Sequence, residues 1–132
     1  MNNLRESEIR KESLDIVVET YRVANLLKPC TKPKFRANLV NSAFLVSSSI
    51  AKAFIYLQND KIEAEIGLAL KGINKLRKSL VRIEKKSLLN VSDIQPLKVL
   101  LASGLDELEE LLTASQMLNI DVPSPKLEKV CI

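Results

Sequence analysis

Histidine is absent from these 132 residues, and so is tryptophan. Without an imidazole the chain lacks the usual neutral-pH base and the commonest metal ligand. The two cysteines, Cys30 and Cys131, stand far apart and form no Cys-x-x-Cys pair. With no histidine to complete a zinc set, no metal site or other cofactor is expected. Two isolated cysteines suit a reducing compartment, and a cytoplasmic location is expected. The first seven residues form a polar stretch with no apolar h-region, so no secretory leader is expected, and no apolar run approaches the ~20 residues of a membrane span. Glycine occurs only three times and aromatics make up 4% of the chain, so leucine, isoleucine, valine and alanine carry most of its 46% hydrophobic content. That balance favours packed helices over a β-sandwich.

The most informative stretch is residues 62–86. Ile62, Ile66, Ala69, Ile73, Leu76, Leu80 and Ile83 step by 4 and 3 without an error. This is the seam of a helix that packs lengthwise on other helices. Lys71, Lys75, Lys78, Arg82 and Lys85 repeat the same steps two residues later, which turns them about 200° from the seam. Arg77 and Lys86 widen the row, and Glu84 is its single anion.

Three further helices are expected. The first covers roughly residues 7–28, with Leu14, Val17, Val18, Tyr21, Ala24 and Leu27 as its apolar stripe, and ends at Pro29. The second starts at Pro33 and runs to about Leu57, with a seam of Leu39, Ala43, Val46, Ile50, Ala53 and Leu57. A spare apolar row on it, Val40, Phe44, Ala51 and Ile55, is either the margin of a wide core stripe or a subunit interface. Gln58, Asn59 and Asp60 form a short turn into the basic helix. Gly67 and Gly72 lie off that helix's seam, either to admit a neighbour closely or by accident. The fourth helix begins near Ser92 or Asp93 and carries Leu97, Leu101, Gly104, Leu108, Leu111, Ser115 and Leu118 to about Asn119. The predicted architecture is all-α: an up-down-up-down antiparallel four-helix bundle over residues 1–119, with a flexible tail over residues 120–132.

Catalytic groups do not assemble in this pattern. Glu63 with Glu65, and Glu109 with Glu110, are too close along a helix to face inward together. A Glu-x-x-His di-iron set is impossible without histidine. Ser47, Ser48 and Ser49 have no base to activate them. A non-enzyme is expected.

Charge is segregated instead. From Lys61 to Lys86 eight Lys/Arg face three Glu, a local net of +5, whereas residues 93–119 hold one Lys against five acids, a net of −4. Outward lysines often serve only to keep a helix soluble, but such faces usually mix signs. Residues 71–86 hold seven cations and one anion, and the row is ~20 Å long, about six nucleotides at ~3.4 Å each. It is therefore read as a polyanion surface of Lys71, Lys75, Arg77, Lys78, Arg82, Lys85 and Lys86. Lys32, Lys34 and Arg36 extend it if the start of the second helix lies nearby. No aromatic interleaves with the cations, so base stacking and sequence readout are expected to be poor, and binding by phosphate, tolerant of sequence and strongly salt-sensitive, is expected.

Residues 43–54 resemble the second-helix pattern of the four-helix-bundle family named for proteins encoded in ribosomal RNA intervening sequences. That family's Pro-Ser-Asn-Ile-Ala-Glu-Gly run corresponds to residues 47–53, where the Pro, Asn, Glu and Gly are replaced. A closer likeness is to the accessory variability determinant (Avd) proteins of diversity-generating retroelements. Tyr21-Arg22-Val23 with Leu26, Leu27 and Pro29 is similar to the end of their first helix. Glu65-Ile66-Gly67-Leu68-Ala69-Leu70 before a basic helix is similar to their third, and Gln95 with Val99-Leu100-Leu101-Ala102 to their fourth. The likeness spans about residues 16–115 and rests on order and spacing. It implies a homopentameric, basic, non-catalytic protein that binds a reverse transcriptase and its RNA template or cDNA in support of mutagenic retrohoming. The spare row of the second helix is then the oligomer interface. The other expectation is an oligomeric scaffold that binds a protein partner through its acidic fourth helix.

Overall fold

The computed structural model describes residues 3–55 and 61–121. Among them are four α-helices and no strand: α1 (Asn3–Leu26), α2 (Pro33–Ile55), α3 (Lys61–Lys85) and α4 (Val91–Asp121). The expected turn at Gln58 to Asp60 and the tail with Cys131 lie outside the described residues. Helix α4 continues two residues past the end of its apolar pattern.

Apart from Leu57 and the Leu118 side chain, which lie outside what is described, the predicted seams of the last three helices are in the core. All seven seam residues of α3 are buried, as are Leu39, Ala43, Val46, Ile50 and Ala53 of α2. On α4, Leu97, Leu101, Leu108, Leu111 and Ser115 are buried, joined by Ile94. Backbone contacts link α1 to α2, α2 to α3, α3 to α4 and α4 to α1, and among the described residues none crosses from α1 to α3 or from α2 to α4. The four helices thus enclose one apolar centre.

Helix α1 departs from expectation. Leu14, Val18 and Tyr21 are exposed, at 58%, 64% and 44%. Of the expected stripe Ala24 and Leu27 are buried and Val17 half-buried; the rest of the buried line is Ile9, Ser13, Ile16, Thr20 and Val23, with Leu27 just past the helix end. Two of these are polar, which hides the 4-3 rhythm from a search for hydrophobic residues. Their hydroxyls donate to carbonyls of the preceding turn, Ser13 Oγ to Arg10 O and Thr20 Oγ1 to Ile16 O, both at 2.7 Å. A hydroxyl satisfied by its own helix can be buried without the desolvation penalty of an unpaired one.

The helix ends are closed by identifiable groups. Helix α1 has no basic residue in its last turn, and Arg36 of α2 supplies one, its guanidinium donating to the carbonyls of Leu27 (2.6 Å) and Lys28. A cation there meets both the unsatisfied carbonyls and the negative end of the helix dipole. At the end of α3, Ser87 takes a left-handed conformation (φ 51°). Leu88 N donates to Ile83 O and Ser87 N to Glu84 O. These two bonds make a Schellman cap, and half-buried Leu88 packs onto the core beside it. Helix α4 begins at Val91, ahead of the expected Ser92 or Asp93 cap. Pro96 falls in the second turn, where its missing N–H and its ring leave the carbonyl of Ser92, an exposed residue, without a helix donor.

By length and composition α2 could cross a membrane, the one such helix among the described residues. The expectation that no segment qualifies is corrected on this point. Serines and alanines break up its apolar runs without making the helix polar as a whole. In the fold its seam is covered by neighbouring helices.

The two glycines of α3 separate cleanly. A Cβ at Gly72 would stand 2.8 Å from Val46 Cγ2 and 3.0 Å from Ser42 O, so this glycine admits the α2 backbone. A Cβ at Gly67 would meet nothing within 4 Å. Gly72→Ala is expected to destabilise by about 1–3 kcal/mol through overpacking, and Gly67→Ala to stabilise by up to about 1 kcal/mol through helix propensity. Urea denaturation of both variants checks the pair; shifts of the same sign would refute the assigned roles.

Candidate nucleic-acid interface

Burying the α3 seam leaves the residues two positions later in water. Lys71, Lys75, Arg77, Lys78, Arg82, Lys85 and Lys86 are all exposed. None of the seven forms an ion pair among the described residues. Glu84, the anion within the row, is instead paired with Lys98 of α4, and leaves the cations on the other side of the helix uncompensated.

The seven do not form one row. Lys71, Lys75, Lys78, Arg82 and Lys85 share the outer face, and Lys86 follows at the cap. Arg77 is turned about a third of a turn away and lines a separate hollow against α4 with Val81, Lys98 and Ala102.

Helix α2 completes the basic face. It carries no Asp or Glu, and no carboxylate occurs anywhere between Glu19 and Asp60. Its start lies beside the end of α3, with the Phe35 ring 5.9 Å from the Arg82 guanidinium. Lys32 and Lys34 are exposed near this end, whereas Arg36 is committed to the carbonyls closing α1 and does not join the patch.

Between the two helices runs a groove of about 660 Å³. Lys75, Lys78, Ser79 and Arg82 form one wall, and Phe35, Asn38 and Asn41 the other, with Ser42 and Leu45. The expectation that no aromatic accompanies the cations is corrected here. Phe35 is 47 positions from Arg82 in the chain and reaches it only through the packing of α2 on α3.

The spare row of α2 lies on the opposite flank of that helix, towards α1. Val40 and Ala51 are half-buried, while Phe44 and Ile55 are 48% and 75% exposed. The Phe44 ring meets Tyr21 of α1 edge-on, with centroids 6.0 Å apart. Val40 packs against the core as a margin of its stripe, whereas Phe44 and Ile55, with Leu14, Val18 and Tyr21, give α1 and α2 an exposed apolar surface.

Acidic groups gather on α1 and α4. Arg5 pairs with Glu110 at 3.2 Å, and Ser103 Oγ donates to Glu12 Oε1 at 2.8 Å. Asp106, Glu109 and Glu110 border a shallow hollow with Thr113 and Ala114. The chain matches no protein-family model, no curated protein and no solved structure.

Within this acidic side the Glu107 carboxyl is pushed up from 4.5 to about 7. Partial burial is the main cause; a hydrogen bond with Glu12 and repulsion from Glu12 and Glu8 add to it, and Arg5 opposes it. Between pH 4.5 and 7 the folded chain holds a proton here that the unfolded chain has released, so stability falls as pH rises through that window. Glu107→Gln, which keeps a donor towards Glu12 and removes the charge, is expected to melt higher than the parent at pH 8 and close to it at pH 4.5. Thermal denaturation at the two pH values checks this, and a lower melting temperature at pH 8 would overturn it.

Proposed function

We propose that this chain is a non-catalytic protein that binds RNA or DNA through the phosphate backbone, using the face built by α3 and α2. The observation that carries this is the line of exposed cations on α3, none of them ion-paired among the described residues, beside a helix with no carboxylate. A polyanion gains from such a surface because each neutralised phosphate releases a counterion.

The resemblance in residues 16–115 extends the proposal. On that likeness the protein is an accessory to the reverse transcriptase of a diversity-generating retroelement, cytoplasmic, and active as a homopentamer that brings template RNA or cDNA to the polymerase. The bundle is up-down-up-down, a topology supported by pairs that run oppositely along α1 and α4: Arg5 with Glu110, Glu12 with Ser103, and Arg22 with the carbonyl of Asp93. The exposed surface around Phe44 and Ile55 supports self-association through α1 and α2. A scaffold that recruits a basic protein partner is the second reading, favoured by the exposed carboxylates of α4.

With about five phosphates engaged, affinity for a labelled oligonucleotide is expected to fall on the order of 100-fold between 50 and 200 mM salt. Charge reversal at Lys75, Lys78 and Arg82 to Glu should abolish binding with helicity intact by circular dichroism. Binding that is insensitive to salt and to these changes would favour the scaffold. Phe44→Asp with Ile55→Asp is expected to reduce the sedimenting species to a monomer; an unchanged mass would exclude this row as the interface.

A further inference from the structure

We propose that the groove between α2 and α3 seats an unpaired base, so that the nucleic acid this protein takes is single-stranded. The inference rests on the phosphate-binding function above and adds the class of strand.

The two walls call for different chemistry. Lys75, Lys78 and Arg82 offer only hydrogen-bond donors, and a phosphodiester offers only acceptors, so these match. Asn38 and Asn41 on the facing wall present amide oxygens as well as amide N–H groups. A phosphate has no proton to give those oxygens. The Watson–Crick edge of an unpaired base has both donors and acceptors, and in a duplex that edge is occupied by its complement. An occupant that satisfies both walls therefore carries phosphate on one side and a free base edge on the other.

Phe35 supplies the third contact. Its half-buried ring is packed at the edge of the core, and Arg82 lies over it at 5.9 Å. At that distance the guanidinium is within cation–π reach of the ring, and the two together place a cation and an aromatic side chain in one groove, the pair of groups on which bases stack without regard to sequence. A duplex, with its bases turned inward, can rest on the crest of cations but leaves this pair and the amides unfilled. From Arg82 to Lys75 the groove runs ~10 Å, room for two or three nucleotides.

The test is fluorescence anisotropy on the full chain with a labelled single strand and a duplex of the same sequence and length. The single strand is expected to bind ~10-fold tighter, the discrimination that one stacked base provides. Asn38→Ala with Asn41→Ala, both exposed positions, should narrow that preference by lowering single-strand affinity more than duplex affinity; an equal loss for both forms would overturn the assignment of the amides to a free base edge. Phe35→Leu should act in the same direction, with circular dichroism to confirm its fold. Equal binding of single-stranded RNA and DNA supports the base edge as the donor, and a strict requirement for RNA overturns it in favour of the ribose hydroxyl. If the duplex binds as tightly as the single strand while the charge reversal still abolishes both, this inference falls and the phosphate-binding function stands. If neither form binds the parent protein, both fall.

Discussion

Helix α2 lies against α3 at a point where α3 has no side chain. At Gly72 a methyl group would collide with Val46 and stand 3.0 Å from the Ser42 carbonyl, so the two backbones approach as closely as this glycine permits. That approach brings the start of α2 beside the end of α3. It is why Phe35 and Asn38, remote in sequence from Ser79 and Arg82, line the same groove. The cations would exist on an isolated α3; the amides and the aromatic ring reach them only through this contact.

Charge is arranged with similar economy. Helix α2 has no acid to neutralise its neighbour, and Glu84, the anion within the basic stretch 71–86, is held by Lys98 of α4. Carboxylates collect on α1 and α4, where Arg5 and Ser103 bond to some of them and Glu107 is held partly protonated near neutral pH. Neither side requires a buried ion pair, so the core remains apolar apart from hydroxyls and the charge pattern costs little stability.

The seams of α2, α3 and α4 were legible because nearly every seam position in them is apolar, with Gly104 and Ser115 the small exceptions on α4. The outward cations followed from the same periodicity. Helix α1 misled because Ser13 and Thr20 occupy its seam while Leu14, Val18 and Tyr21 form a convincing decoy on its outer face. A hydroxyl that bonds to its own helix behaves in the core like a small apolar group, and a hydrophobicity pattern does not register it. The groove was illegible for another reason: Phe35 meets Arg82 across a helix pair, and no spacing within one segment encodes that meeting. The diversion of Arg36 to the end of α1 belongs to the same class, since it depends on which carbonyls the fold leaves open.

The inward hydroxyls of α1 have a mechanical corollary. Because Ser13 and Thr20 bond within their own helix, they give α1 no polar latch across the core. Its polar ties lie at its margins: Arg5 at one end, Glu12 midway and Arg22 at the other, each fastened to α4. Three polar fastenings along one edge thus add to the register that packing sets, where Ile16 lies over Gly104 of α4.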